Sequence, residues 1–332
     1  MRLRRGGGSG DIENRESEGG STGGFGGLGG GSSGGLGGGG LGSVLGNLGL
    51  LKMGFPGIII LVVLFFISGG SSLLGGGGGG LGIPVAPSQS KVDDINANTV
   101  GSSNLPGDVK PGTVEFVTAA LDDIQASWDK QFAASGQTYT HAKLVLFRNF
   151  VNTGGCGSAQ SGTGPFYCPA DRRVYVDRGF FDELASKFGA PGDFAQAYVI
   201  AHEIGHHVQN LLGISEKVRR LEQQHPDDRN AYSVRLELQA DCFAGVWAHA
   251  ASQETVLDDN GKQVAVLEAG DIDEGLRAAA SVGDDYIQKN LGSGRVDPET
   301  WTHGSSAQRQ KWFKQGYTTG NPDTCDTFTG DV

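Results

Sequence analysis

His202-Glu203-Ile204-Gly205-His206, set within the longer run Phe194 to Leu212, decides how this chain is read. Apolar residues recur there at helical spacing. Pro191-Gly192 precedes the run, Asp193 is the expected N-cap and Gly213 lies just past its end, so the pattern predicts a helix over 194–212. Residues four apart on a helix share a face, which turns both imidazoles toward one cation. Two imidazoles and one carboxylate suit zinc in tetrahedral geometry, with a fourth position for water. Glu203 is rotated about 100° from His202, which makes it a general base rather than a ligand. Three of the chain's seven histidines fall within 202–207. His207, rotated away from His206, is expected in the core or at the surface. Gly205 would let a second segment approach closely, since helix interiors otherwise disfavour glycine.

Glu237-Leu238-Gln239-Ala240-Asp241 supplies that second segment, on a helix expected over 229–251. Glu237 is the expected third ligand. Asp241, one turn on, is the expected acceptor for the free nitrogen of a ligating histidine. The reverse assignment, Asp241 on the metal and Glu237 behind it, stays open. Hydrolysis of an amide at such a site builds charge on the carbonyl oxygen, which a nearby His, Tyr or Arg can stabilise. His303, in Thr302-His303-Gly304-Ser305 ahead of a helix near 305–313, is the candidate, with Tyr286, Tyr317 and Arg309 behind it.

The other elements follow from periodicity and turn chemistry. Val114 to Phe132 reads as an amphipathic helix, Ala142 to Phe147 and Arg173 to Val176 as strands, and Phe180 to Phe188 as a short helix ended by Gly189. Asn260-Gly261 between two short runs signals a hairpin. Asp271-Ile272-Asp273-Glu274 reads as a capping box opening a helix to about Lys289. One helix, then strands, then mostly helices make an α+β domain with a small sheet.

Composition divides the chain. Of 58 glycines, 33 lie in the first 82 residues, where little but one apolar stretch could be buried. Residues 1–52 therefore read as a Gly-rich, low-complexity head, 75–110 as a flexible tether and 111–332 as the folded domain. Between them, 53–74 reads as a transmembrane helix: Met53 to Ser90 carries no charge and Ile58 to Ile67 is continuously apolar. Arg2, Arg4, Arg5, Arg15 and Lys52 precede it, which predicts a single pass in the cell membrane with a cytoplasmic N-terminus and an extracytoplasmic domain. The net charge of −11 argues against nucleic acid as a partner. Cys156 and Cys168 flank a loop of small residues that a disulfide would close. Elimination then pairs Cys242 with Cys325, in keeping with an oxidising compartment.

HEIGHHVQN, ELQADCFAG and THGSSAQR closely resemble the bacterial putative neutral zinc metallopeptidase family, and the likeness extends through CPADRRVYVD, GDIDEGLRAA and the terminal CDTF. More distantly, the later Glu-x-x-x-Asp resembles the gluzincin arrangement. These resemblances imply a zincin-like fold, Zn2+ on His202, His206 and Glu237, Asp241 as orienting residue, and hydrolysis of peptide or protein substrates. They further imply substrate addition to a strand beside the active helix, placed here at Arg173 to Asp177. Two other expectations compete: a tethered zincin-derived scaffold without turnover, and a zinc amidohydrolase acting on cell-envelope material.

Overall fold

A computed structural model describes residues 1–3, 10–18, 110–258 and 260–332. The sheet that carries the domain has the order β1-β2-β6-β5, with β1 Ile12–Asn14, β2 Lys143–Phe147, β5 Phe166–Cys168 and β6 Arg173–Asp177. β1, β2 and β6 run parallel, in register through Ile12 beside Leu144 and Leu144 beside Val174, and β5 is antiparallel to β6. Leu144, Val145, Leu146, Val174, Tyr175 and Val176 are all fully buried. Such two-sided burial is what parallel strands require, and it explains their continuous apolar runs. β6 therefore has a neighbour on each side. The expectation that substrate adds to 173–177 is corrected by this pairing: among the described residues the edge strands of this sheet are β1 and β5. A small hairpin of β3 Phe150–Asn152 and β4 Ser158–Gln160 lies between, and the Cys156–Cys168 disulfide ties its loop to β5.

Helices pack over this sheet. α1 Val114–Ala134 starts at Thr113, whose hydroxyl accepts the Phe116 amide at 3.2 Å. Its expected apolar stripe, Phe116 to Trp128, is buried. α2 spans Gly179–Ser186, α3 Asp193–Leu211, α4 Ile214–Gln224 and α5 Arg229–Ser252. Asp193 is the first residue of α3 rather than its cap. The Phe194 amide is instead taken by Glu274 Oε2 at 3.2 Å, from another helix. α4 went unread in the sequence. The hairpin signalled by Asn260-Gly261 forms as β7 Thr255–Leu257 and β8 Gln263–Ala265.

α6 is shorter than its pattern suggested, Asp271–Ser281. A Cβ on Gly283 would meet the Ser306 side chain at 2.8 Å, so two chain segments come together where a continuous helix would run. The chain restarts as α7 Asp284–Tyr286, continues through a π turn over Ile287–Leu291, and ends in α8 Ser306–Thr319. Ser305 and Gln308 form a reciprocal capping box on α8. α5 and α8 cross at Gly245 and Gly316, where backbone meets backbone and no side chain fits. Cys242, on α5, is joined to Cys325 beyond α8.

Two boundaries need restating. The reading of all of 1–52 as a head outside the fold is corrected by β1 and by Met1 and Leu3, which are buried in the main core. The expected transmembrane helix at 53–74 lies outside the described residues. Among those residues, no helix is long and apolar enough to cross a membrane.

Candidate active site

α3 and α5 bring the candidate metal ligands together. Gly205 permits it: a Cβ there would lie 2.9 Å from the Ala240 carbonyl oxygen, so the two helices meet at the level of the histidines. His202 Nε2 lies 3.1 Å from Glu237 Oε2, and His206 Nε2 lies 3.4 Å from Glu237 Oε1. Ligand atoms of the three residues all fall within 4.8 Å of one another.

The outward nitrogens are also engaged. His202 Nδ1 faces Asp241 Oδ1 at 2.9 Å, and His206 Nδ1 faces Gln209 Oε1 at 2.9 Å. The acceptors on both Nδ1 atoms hold a proton there, which leaves Nε2 as the nitrogen each ring can offer a metal. Burial opposes charge on His202, yet Asp241 and Glu237 outweigh it and raise the ring to about 9. The same negative field favours a metal cation. Burial likewise pushes Glu237 up, but His206 and His202 prevail and hold its carboxyl well below the usual range. The donor set fits zinc.

Asp241 is wholly buried behind His202. Arg309 clasps it with Nε on Oδ2 at 2.8 Å and Nη2 on Oδ1 at 2.9 Å, and the Tyr198 hydroxyl donates to Oδ1. Asp241 stands outside the cluster of His202, His206 and Glu237, with its oxygens engaged by His202 Nδ1, Tyr198 and Arg309. Arg309 serves this carboxylate. Tyr286 bonds the Phe188 carbonyl and Tyr317 packs on His249, so neither stands among the residues around the metal site.

Glu203 is buried at the wall of a cavity of about 280 Å³ that also takes in His202, His206, Glu237 and His303. Burial pushes the Glu203 carboxyl up, against the pull of the His206 and His202 rings. Apolar side chains, among them Phe180, Phe188, Val199, Val282 and Ile287, line much of the rest, and Gly164 to Tyr167 bring the β5 edge to its rim. His303 is held by Asp284: Nδ1 to Oδ1 is 3.0 Å, while Oδ2 accepts the amides of Thr302, His303 and Gly304 at 2.8, 2.6 and 3.0 Å. His207 lies in the core. Its Nε2 donates to the Thr140 carbonyl at 2.6 Å and its Nδ1 accepts from the Tyr167 hydroxyl of β5 at 2.9 Å.

Gln209 and Asp284 were missed in the sequence. Gln209 lies three residues past His206 and so shares its face. Asp284 carries no such signal, because the turn that brings it to His303 is a tertiary feature.

Two histidines one helical turn apart, an intervening glutamate and a carboxylate from a second helix form the donor pattern of an HExxH zinc site, and the mostly helical α+β fold fits a zincin-like domain. The chain belongs to the family described as putative neutral zinc metallopeptidase, whose profile matches residues 1–328, and zinc is that family's cofactor. It is 50% identical over 215 residues to the uncharacterized protein YpfJ of Escherichia coli K12, covering 64% of this chain and 71% of the relative. The uncharacterized protein Rv2575 of Mycobacterium tuberculosis is 48% identical over 214 residues, covering 64% and 70%. No solved structure matches.

Proposed function

We propose that this protein is a zinc-dependent peptidase that hydrolyses peptide bonds in the cavity beside α3. Glu203 carries the reading. A purely structural metal site needs His202, His206 and Glu237 but has no use for a further buried carboxylate facing an apolar cavity. Zinc, when bound by those three residues, supplies Lewis-acid polarisation of the scissile carbonyl and a more acidic water. Glu203 takes the proton of the attacking water and returns it to the departing amine, and its burial suits it to both duties. His303, oriented through Nδ1 by Asp284, offers its other nitrogen to the carbonyl oxygen as charge develops there. An extended substrate can add to the open edge of β5, placing a side chain against Phe180, Phe188 and Val199.

We also infer that the protein works at a membrane and outside the cytoplasm. The uncharged stretch over 53–74 supports the first and the two disulfides support the second.

The test is a cleavage assay of the full-length, zinc-loaded chain against an unfolded protein, a peptide library and cell-envelope amides. Cleavage of protein or peptide that is lost in Glu203→Gln is the expected result. Cleavage of envelope amides alone would favour the amidohydrolase, and a zinc-loaded chain that cuts nothing would leave a scaffold.

A further inference from the structure

Residues 1–3 and 10–18 do more than touch the domain; they are built into it. Ile12 to Asn14 pair with Leu144 to Leu146 along the outer edge of the sheet, with the Leu144 amide on the Asp11 carbonyl at 2.7 Å and the Arg15 amide on the Leu146 carbonyl at 2.8 Å. The charges are complementary. Glu13 receives Arg173 Nε and Nη2 at 3.2 and 3.1 Å, and Glu16 receives Arg178 Nε and Nη2 at 2.9 and 2.7 Å. At the far end the Arg2 amide donates to the Val266 carbonyl at 2.7 Å and its guanidinium meets Glu268 at 2.8 Å.

Arg178 has a second duty. While Nε and Nη2 hold Glu16, Nη1 donates to the Gly112 carbonyl at 3.3 Å. One guanidinium therefore touches the chain just before residue 19 and just after residue 109. The points where the polypeptide leaves the described body and returns to it lie side by side. A bilayer core is ~30 Å thick, and the reach of one arginine cannot span it.

We propose that residues 1–3 and 10–18 lie on the same side of any membrane as the catalytic body. The interface is an in-cis one: an acidic strand segment seated on the β2 edge and on the basic pair Arg173 and Arg178. It replaces the cytoplasmic N-terminus expected from the positive charges ahead of 53–74. Of those charges, Arg2 and Arg15 are engaged by Glu268 and Glu13 in the folded chain. The inference is independent of the peptidase reading.

Lys52 and Lys91 flank the apolar stretch and report the topology directly. Sealed membrane vesicles from cells making the full-length chain are treated with a membrane-impermeant amine reagent, in right-side-out and inverted orientation, and both lysines are quantified by mass spectrometry. The expected result is equal modification of Lys52 and Lys91 in each orientation. One lysine modified and the other protected until detergent is added overturns the proposal. The docking itself is read by charge exchange in the full chain. Glu16→Arg and Arg178→Glu should each lower the melting temperature, and the double exchange should recover most of the loss. Simple additivity of the two losses would mean that Glu16 is not seated there.

Discussion

Asp284 spends both carboxylate oxygens on one turn: Oδ1 lies 3.0 Å from His303 Nδ1, and Oδ2 gathers the amides of Thr302, His303 and Gly304. The four contacts fix the ring and the loop beneath it together. His303 is buried and lines the same cavity as Glu203. His303→Ala should lower kcat by about 10²–10³-fold with zinc content unchanged. Asp284→Asn should give a smaller loss of kcat and little change in KM, since an amide oxygen still accepts from the backbone. Equal damage to zinc content or melting temperature in Asp284→Asn would reduce the residue to a loop brace.

Glu203→Gln keeps the shape of the site and removes the base. Hydrolysis should fall by at least about 10²–10⁴-fold, while zinc analysis still returns one metal per chain. Full activity in this variant would sink the mechanism, whatever became of the family assignment.

Removing the groups behind the histidines should be read in metal affinity rather than in fold. Asp241→Asn removes the negative charge behind His202 Nδ1 and Gln209→Ala takes the acceptor from His206 Nδ1, and each should weaken zinc binding by roughly 10–100-fold. Arg309→Ala is a harsher change, because it leaves the Asp241 charge buried with its main partner gone, a defect costing about 3–5 kcal/mol in comparable pairs. Competition with a chelator of known affinity separates the two effects, the first two variants losing zinc before they lose structure.

His207 gives the fold an acid-sensitive point. Burial holds its ring at about 4, below the ordinary 6.5, so folding requires the neutral form. The folded-state value is depressed, and the unfolded chain therefore binds the extra proton between those limits. Stability is complete above pH 6.5 and declines as pH falls toward 4, by about 3 kcal/mol for this residue if no other group compensates. Glutamine can still donate to the Thr140 carbonyl and accept from Tyr167. Urea unfolding at pH 7.5 and 4.5 should thus show a smaller pH effect in His207→Gln than in the wild type, and an unchanged pH effect would rule the residue out.

The clustering of the candidate ligands was legible because helix geometry is local: His202 and His206 share a face wherever their helix goes, and so do Glu237 and Asp241. Gly205 pointed to the crossing of those helices for the same reason. Which of Glu237 and Asp241 faces the metal depended on how α5 is rotated against α3, and only packing sets that rotation. The helix expected to run to Lys289 stops at Ser281 because Gly283 meets Ser306 from a distant part of the chain, and Asp284 owes its role to that stop. The burial of Met1, Leu3 and the β1 strand was hidden by composition. Their glycine-rich neighbours read as featureless, whereas the partners that order them, Leu144, Arg173 and Arg178, lie more than a hundred residues away.

The seating of β1 along β2 has a practical side. A chain shortened to begin within 75–110 would keep every residue of the candidate metal site, yet it would lay bare the Leu144 amide and the Leu146 carbonyl beside the core. An open edge of that kind recruits the same edge of another molecule. Truncated preparations should therefore aggregate, and insolubility in such a fragment would reflect a missing strand rather than a failed active site.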